Sequence, residues 1–197
     1  MKVFSPSEKQ DSLDVLNYQI RVCTRCGLSA TRKHALTGEG NIGAVLLFVA
    51  LSPGAKEDAG NRMFIGPSGQ VFNNLLHKAG IERKSVFMTN LVKCTLPRNR
   101  KPVPNEIESC SSFLEDEIAI IQPQIIVPLG SYATYAILAK YQTDPSAPEM
   151  VFKNINGRLL DLGGTKIFPL THPSALLYNP SFEAGTIESY KNLKSLL

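Results

Sequence analysis

The sequence predicts an α/β/α sandwich built on a central four-stranded parallel sheet. Two observations predict it: short, continuous apolar runs alternate with segments of helical periodicity, and each run stops at a turn or polar signal. Parallel strands need crossover connections whose helices cover both faces of the sheet, so they read as unbroken apolar runs rather than alternating ones. AVLLFVA (44–50) is the longest run and stops at Ser52, Pro53 and Gly54. The other strands are VFMTN, ending at Asn90, QIIVPLG, ending at Gly130, and KIFPL, ending at Leu170.

The helices follow from spacing and caps. Leu13, Leu16 and Ile20 recur at helical intervals between about residues 7 and 23 and carry the chain into a CTRC turn. Ser68 is placed to cap a helix whose apolar face is Val71, Phe72, Leu75, Leu76 and Ala79, with Gly80 as its stop. Asn105 and Glu108 make a capping-box-like start for a helix reaching about Ile121, closed by Pro123. Gly130 and Ser131 turn into a helix around 132–140, and a terminal helix begins near Glu183.

With 197 residues, 43% of them hydrophobic, the chain can bury one substantial core, so residues 1–197 are expected to form a single domain. The longest apolar run, Ala44 to Leu51, is far short of the roughly 20 residues of a membrane helix, so no membrane association is expected. The start, MKVFSPSEKQDSLD, soon turns polar and lacks the apolar stretch of a secretory signal, which points to the cytoplasm. A formal charge of +4 suits a polyanionic partner without singling one out. Its most clustered sources are Arg98, Arg100 and Lys101 in TLPRNRKPVP, and Arg32 and Lys33 in SATRKHAL.

Ligands of open α/β sheets bind outside the carboxyl ends of the strands, here the loops after Ala50, Asn90, Leu129 and Leu170. The first of these carries Leu51, Ser52, Pro53 and Gly54, then the acidic neighbours Glu57 and Asp58. Phe64 lies among Gly60, Gly66 and Gly69, and glycine lets backbone approach a ligand closely. Of the three histidines, His172 directly follows the fourth strand in THPSALLYNP, whereas His34 and His77 read as solvent or packing residues. Leu176, Leu177 and Tyr178 come next, and either project from an exposed loop or pack beneath it.

The four cysteines, Cys23, Cys26, Cys94 and Cys110, leave none over. Two disulfides, a zinc ion and an iron-sulfur cluster are all open to such a set. A reducing compartment and an ample core argue against disulfides. A long proline-containing separation between Cys94 and Cys110 is unlike the paired knuckles of structural zinc. Cluster binding tolerates widely separated ligands, but spacing alone leaves the metal undecided.

Four motifs, in order, carry a resemblance that covers nearly the whole chain: CTRCGLSATRKHALTGEGN, ALSPGAKEDAGNRMFIGPSGQ, MTNLVKC and THPSALLYNP. The sequence resembles the family 4 uracil-DNA glycosylases, the thermostable iron-sulfur branch. That resemblance implies a monomeric enzyme that excises uracil from single- or double-stranded DNA after flipping the nucleotide into a pocket. It implies a structural 4Fe-4S cluster on Cys23, Cys26, Cys94 and Cys110.

The same resemblance distributes roles among the site residues. Asn90 would read the pairing edge of uracil by donating to a carbonyl and accepting from N3–H, where cytosine presents the opposite pattern. Phe64 would stack on the base and His172 would hydrogen-bond O2 of the leaving uracil. Leu51, Ser52, Pro53 and Gly54 would line the pocket, with Ser52 and Ser174 on the flanking phosphates. Leu176, Leu177 and Tyr178 would form a wedge with Leu177 at its tip, and Arg98, Arg100 and Lys101 would meet the DNA backbone.

One position departs from the pattern. The family motif reads glycine, glutamate, small, proline, glycine, and Leu51 stands where it has glutamate. A carboxylate there would help position the attacking water and stabilise a cationic sugar. Asp58 could supply that charge, with Glu57 capping the loop. The change keeps two other readings open: a binding protein that has lost turnover, and a glycosylase for another deaminated base such as hypoxanthine.

Overall fold

The computed structural model describes residues 4–141 and 151–197. In chain order it contains α1 (Pro6–Arg21), β1 (Glu39–Gly40), β2 (Leu46–Ala50), α2 (Ala55–Gly60), α3 (Pro67–Lys78), β3 (Phe87–Asn90) and α4 (Pro104–Ile121). It continues with β4 (Ile125–Pro128), α5 (Gly130–Tyr141), α6 (Phe152–Ile155), β5 (Leu160–Leu162), β6 (Thr165–Ile167), α7 (Ala175–Tyr178) and α8 (Glu183–Lys194).

The expected parallel core is present as β3-β2-β4-β6, and the sheet is larger than expected. Two short antiparallel strands extend it to six, β1 beside β3 and β5 beside β6. Both are only two or three residues long and set among glycines, so neither leaves a periodic signature.

Side chains of the central strands alternate between two cores. Leu47, Val49, Phe87, Ile126 and Ile167 face α1, α4 and α5, while Leu46, Phe48, Met88, Ile125 and Val127 face α3 and α8. Every residue of β2 is buried, as a strand covered on both faces must be. Tyr190 of α8 is fully buried beside Phe48 and Phe72, and burial pushes its hydroxyl far above the usual phenol range.

Two caps differ from the sequence expectation. Helix α3 starts at Pro67 after Gly66, so Ser68 lies inside the first turn rather than at the cap. Helix α4 starts at Pro104, and Glu106 supplies the acidic half of the box by accepting the Val103 N–H at 2.9 Å. Gly80 does end α3, at φ +70°. Among the described residues, no helix is long and apolar enough to cross a membrane.

Candidate active site and cysteine cluster

Because β2, β3, β4 and β6 run parallel, their carboxyl ends share one edge of the sheet. A cavity of about 600 Å³ opens there. Leu51, Ser52, Pro53 and Gly54 line it from beyond the end of β2, Asn90 from β3, Gly130 and Ser131 from the start of α5 just after β4, and His172 from the segment after β6. Phe64 closes another side.

Phe64 is held by unusual backbone geometry. It is buried, stacked on Phe72 with ring centroids 4.3 Å apart, and adopts φ +54°, a conformation bulky L-residues rarely take. Gly69 permits this, since a Cβ there would lie 2.0 Å from the Phe64 carbonyl oxygen. A side chain at 69 would therefore dislodge the ring that lines the cavity.

Asn90 is buried at the end of β3, and its Nδ2 donates to Met63 Sδ at 3.1 Å, a weak bond that leaves its polar end available. The strand end is fixed from behind. Lys93 Nζ donates to the Asn90 carbonyl at 2.9 Å, to Thr89 Oγ1 at 2.7 Å and to Glu117 Oε2 at 2.6 Å. Thr89 and the Gly38 N–H also donate to the Glu117 carboxylate, so this fully buried ion pair has a complete set of partners.

The tautomer of His172 follows from its neighbours. The Ser174 N–H points at His172 Nδ1 from 3.2 Å, which makes Nδ1 the acceptor and leaves the proton on Nε2. The Ser174 hydroxyl lies 2.7 Å from the same nitrogen. Burial lowers the His172 pKa to about 4, against an opposing pull from the negative charge of Glu57. His172 is therefore a neutral imidazole with one N–H to offer.

Several residues stand elsewhere than expected. The Asp58 carboxylate accepts the Lys33 and His34 N–H groups at 3.0–3.1 Å, and Asp58 does not line the cavity. Its neighbour Glu57 does, so the loop-capping and cavity-facing roles are exchanged between them. Ser174 is committed to His172 rather than left free for a phosphate, because two residues on it folds back over the ring.

Leu176 packs on the core, while Leu177 (48% exposed) and above all Tyr178 (88% exposed) project at the cavity mouth. Arg98 and Lys101 are exposed, whereas both terminal nitrogens of Arg100 bond to Glu106. Asn99 and Tyr132 also line the cavity, though nothing in their local sequence marks them.

The four cysteines are free thiols around a second space, shared with Ile20, Arg32, Lys93 and Phe113. Cys94 and Cys110 are buried, and that burial pushes Cys110 up and Cys94 up to about 11. Arg32 Nη1 donates to Cys94 Sγ at 3.2 Å, and the Arg25 N–H to Cys23 Sγ at 3.5 Å. Donors aimed at sulfur suit thiolate ligands. Among the described residues, no group of three or more His, Cys, Asp or Glu side chains is arranged as a metal-ion site.

The sequence that builds this sheet and cavity has relatives among known proteins. The chain belongs to the uracil DNA glycosylase superfamily, whose family model matches residues 37–194. Within that superfamily it is similar to the Type-4 uracil-DNA glycosylase of Saccharolobus solfataricus, 35% identical over 95% of this chain and 87% of that protein. The Type-4 uracil-DNA glycosylase of Thermotoga maritima is 34% identical over 96% of both chains. The Type-5 uracil-DNA glycosylase of Pyrobaculum aerophilum is 31% identical over 71% of this chain and 66% of its own.

Proposed function

We propose that this protein is a monofunctional DNA-repair glycosylase that hydrolyses the N-glycosidic bond of deoxyuridine in DNA, releasing uracil and leaving an abasic site. The observation that carries the proposal is the convergence of Asn90, Phe64 and a neutral His172 on one cavity at the strand ends. The flipped base stacks on Phe64 while Asn90 Oδ1 accepts from N3–H and Nδ2 donates to O4. Met63 gives way, since a thioether is a weaker acceptor than a carbonyl.

As the C1′–N1 bond breaks, its electron pair moves onto the uracil ring and charge grows on O2. The Nε2–H of His172 meets that charge. A neutral donor serves well because it is already oriented by Ser174 and needs no proton from solvent. Leu177 and Tyr178 occupy the gap left in the DNA stack, and Arg98 and Lys101 meet its phosphates.

The cysteine set supports a 4Fe-4S cluster on Cys23, Cys26, Cys94 and Cys110, whose side chains line one shared space with the basic side chains of Arg32 and Lys93 beside them. When bound, it acts as a cross-link between the end of α1, the loop after β3 and α4, and takes no part in bond cleavage. Protein purified without oxygen is expected to carry about four iron atoms per chain and a broad visible absorption that bleaches on reduction. One metal atom per chain, without that absorption, would replace the cluster with zinc.

The activity is tested by incubating excess protein with single- and double-stranded oligonucleotides carrying uracil, cytosine or hypoxanthine at one position, then revealing abasic sites with alkali. Cleavage is expected at uracil alone. Asn90→Asp, which loses the side-chain donor, should slow it by about 100-fold or more. Equal cleavage at hypoxanthine would transfer the assignment to another deaminated base.

A further inference from the structure

We infer that Glu57 supplies the carboxylate the chain lacks at Leu51, facing the cationic sugar and accepting the proton of the attacking water. The inference rests on the glycosylase reading and names a further catalytic residue within it. Leu51 lines the cavity, and its side chain has no atom able to accept a proton. Among the described residues lining that cavity, Glu57 alone carries an acidic side chain.

The backbone around Glu57 is shaped to hold its carboxylate. Oε1 accepts the Gly66 N–H at 2.7 Å, which fixes the plane of the group. A Cβ on Gly54 would lie 2.6 Å from Oε2, and one on Gly66 would lie 3.0 Å from Oε1. Two glycines thus leave room for the carboxylate between the β2 loop and the start of α3. Residue 57 is only 8% exposed, and among the described residues it forms no ion pair with a Lys or Arg, whereas Glu39, Glu106 and Glu117 each have a cationic partner. Asp58, the other acid of the loop, is tied to the Lys33 and His34 backbone.

A buried carboxylate without a cation is expensive, and a developing positive charge beside it offsets that expense in the transition state. The C1′–N1 electron pair leaves with uracil, water oxygen bonds to C1′, and the water proton passes to Glu57 Oε2. Return of that proton through solvent to the uracil anion restores the carboxylate, and the net change is addition of one water.

Glu57→Gln keeps an oxygen for the Gly66 N–H and removes the charge. It is expected to slow single-turnover uracil release by about 100-fold. Restoring the family glutamate in Leu51→Glu/Glu57→Gln should recover much of the loss. The wild-type protein should bind DNA carrying a protonated pyrrolidine abasic analogue about tenfold more tightly than DNA carrying neutral tetrahydrofuran, and Glu57→Gln should lose that preference.

Full uracil release by Glu57→Gln, or equal binding of the two analogues by the wild-type protein, would overturn the inference. The analogue comparison also separates it from the glycosylase reading. A wild-type protein that releases no uracil yet prefers the cationic analogue refutes the reading and retains the charge.

Discussion

Replacing His172 with alanine is expected to reduce single-turnover uracil release by about 10²- to 10³-fold while leaving affinity for abasic DNA nearly unchanged. The magnitude is that of removing one preorganised donor from a site where negative charge develops. Charge on O2 exists only as the bond breaks, so losing its partner affects the rate more than ground-state binding. The pH dependence carries a second signature. With a pKa near 4 in the folded protein, against 6.5 for a free imidazole, His172 stays neutral as pH falls through 6.5 and protonates only near 4. The His172-dependent part of the rate should therefore show no step at pH 6.5 and should fall only as pH approaches 4, when a proton on Nδ1 would confront the Ser174 N–H. A step at 6.5 that disappears in His172→Ala would mean that the imidazolium is the active form.

Glu117→Ala is expected to destabilise the protein by about 3–5 kcal/mol, because it strands the Lys93 ammonium in the core. Both side chains are almost wholly enclosed, at 2% and 0% exposure, and Glu117 accepts bonds from Lys93, Thr89 and Gly38. Urea unfolding followed by circular dichroism measures the loss. Replacing both partners with apolar residues, as in Lys93→Met/Glu117→Leu, should recover most of the stability, since no charge is then left unpaired. Uracil release should remain impaired in that double variant because the Asn90 carbonyl has lost its Lys93 donor. A loss below about 1 kcal/mol in Glu117→Ala would show that water reaches Lys93.

The sequence made the central sheet legible because its four parallel strands are covered on both faces and so read as continuous apolar runs, β2 most plainly. The same argument placed Asn90 and His172 at one edge, since parallel strands bring their carboxyl ends together. Strands β1 and β5 carry no such pattern and depend on the neighbours they extend. Glu57 and Asp58 could not be told apart locally, because adjacent residues on a helical turn point about 100° apart and Gly54, Gly66 and the Lys33–His34 backbone decide which acid meets which partner. The Lys93–Glu117 pair spans 24 positions, and each member alone resembles an ordinary surface charge. Ser174 sits in the expected motif, but its hydroxyl turns toward His172.

The central claim is that this cavity cleaves the glycosidic bond of deoxyuridine despite Leu51. Its most direct measurement is the amount of free uracil released, by mass spectrometry, when excess cluster-loaded protein meets an oligonucleotide containing one uracil. The expected result is one free uracil and one alkali-labile site per strand. Intact deoxyuridine in DNA that the protein nevertheless binds tightly would contradict it.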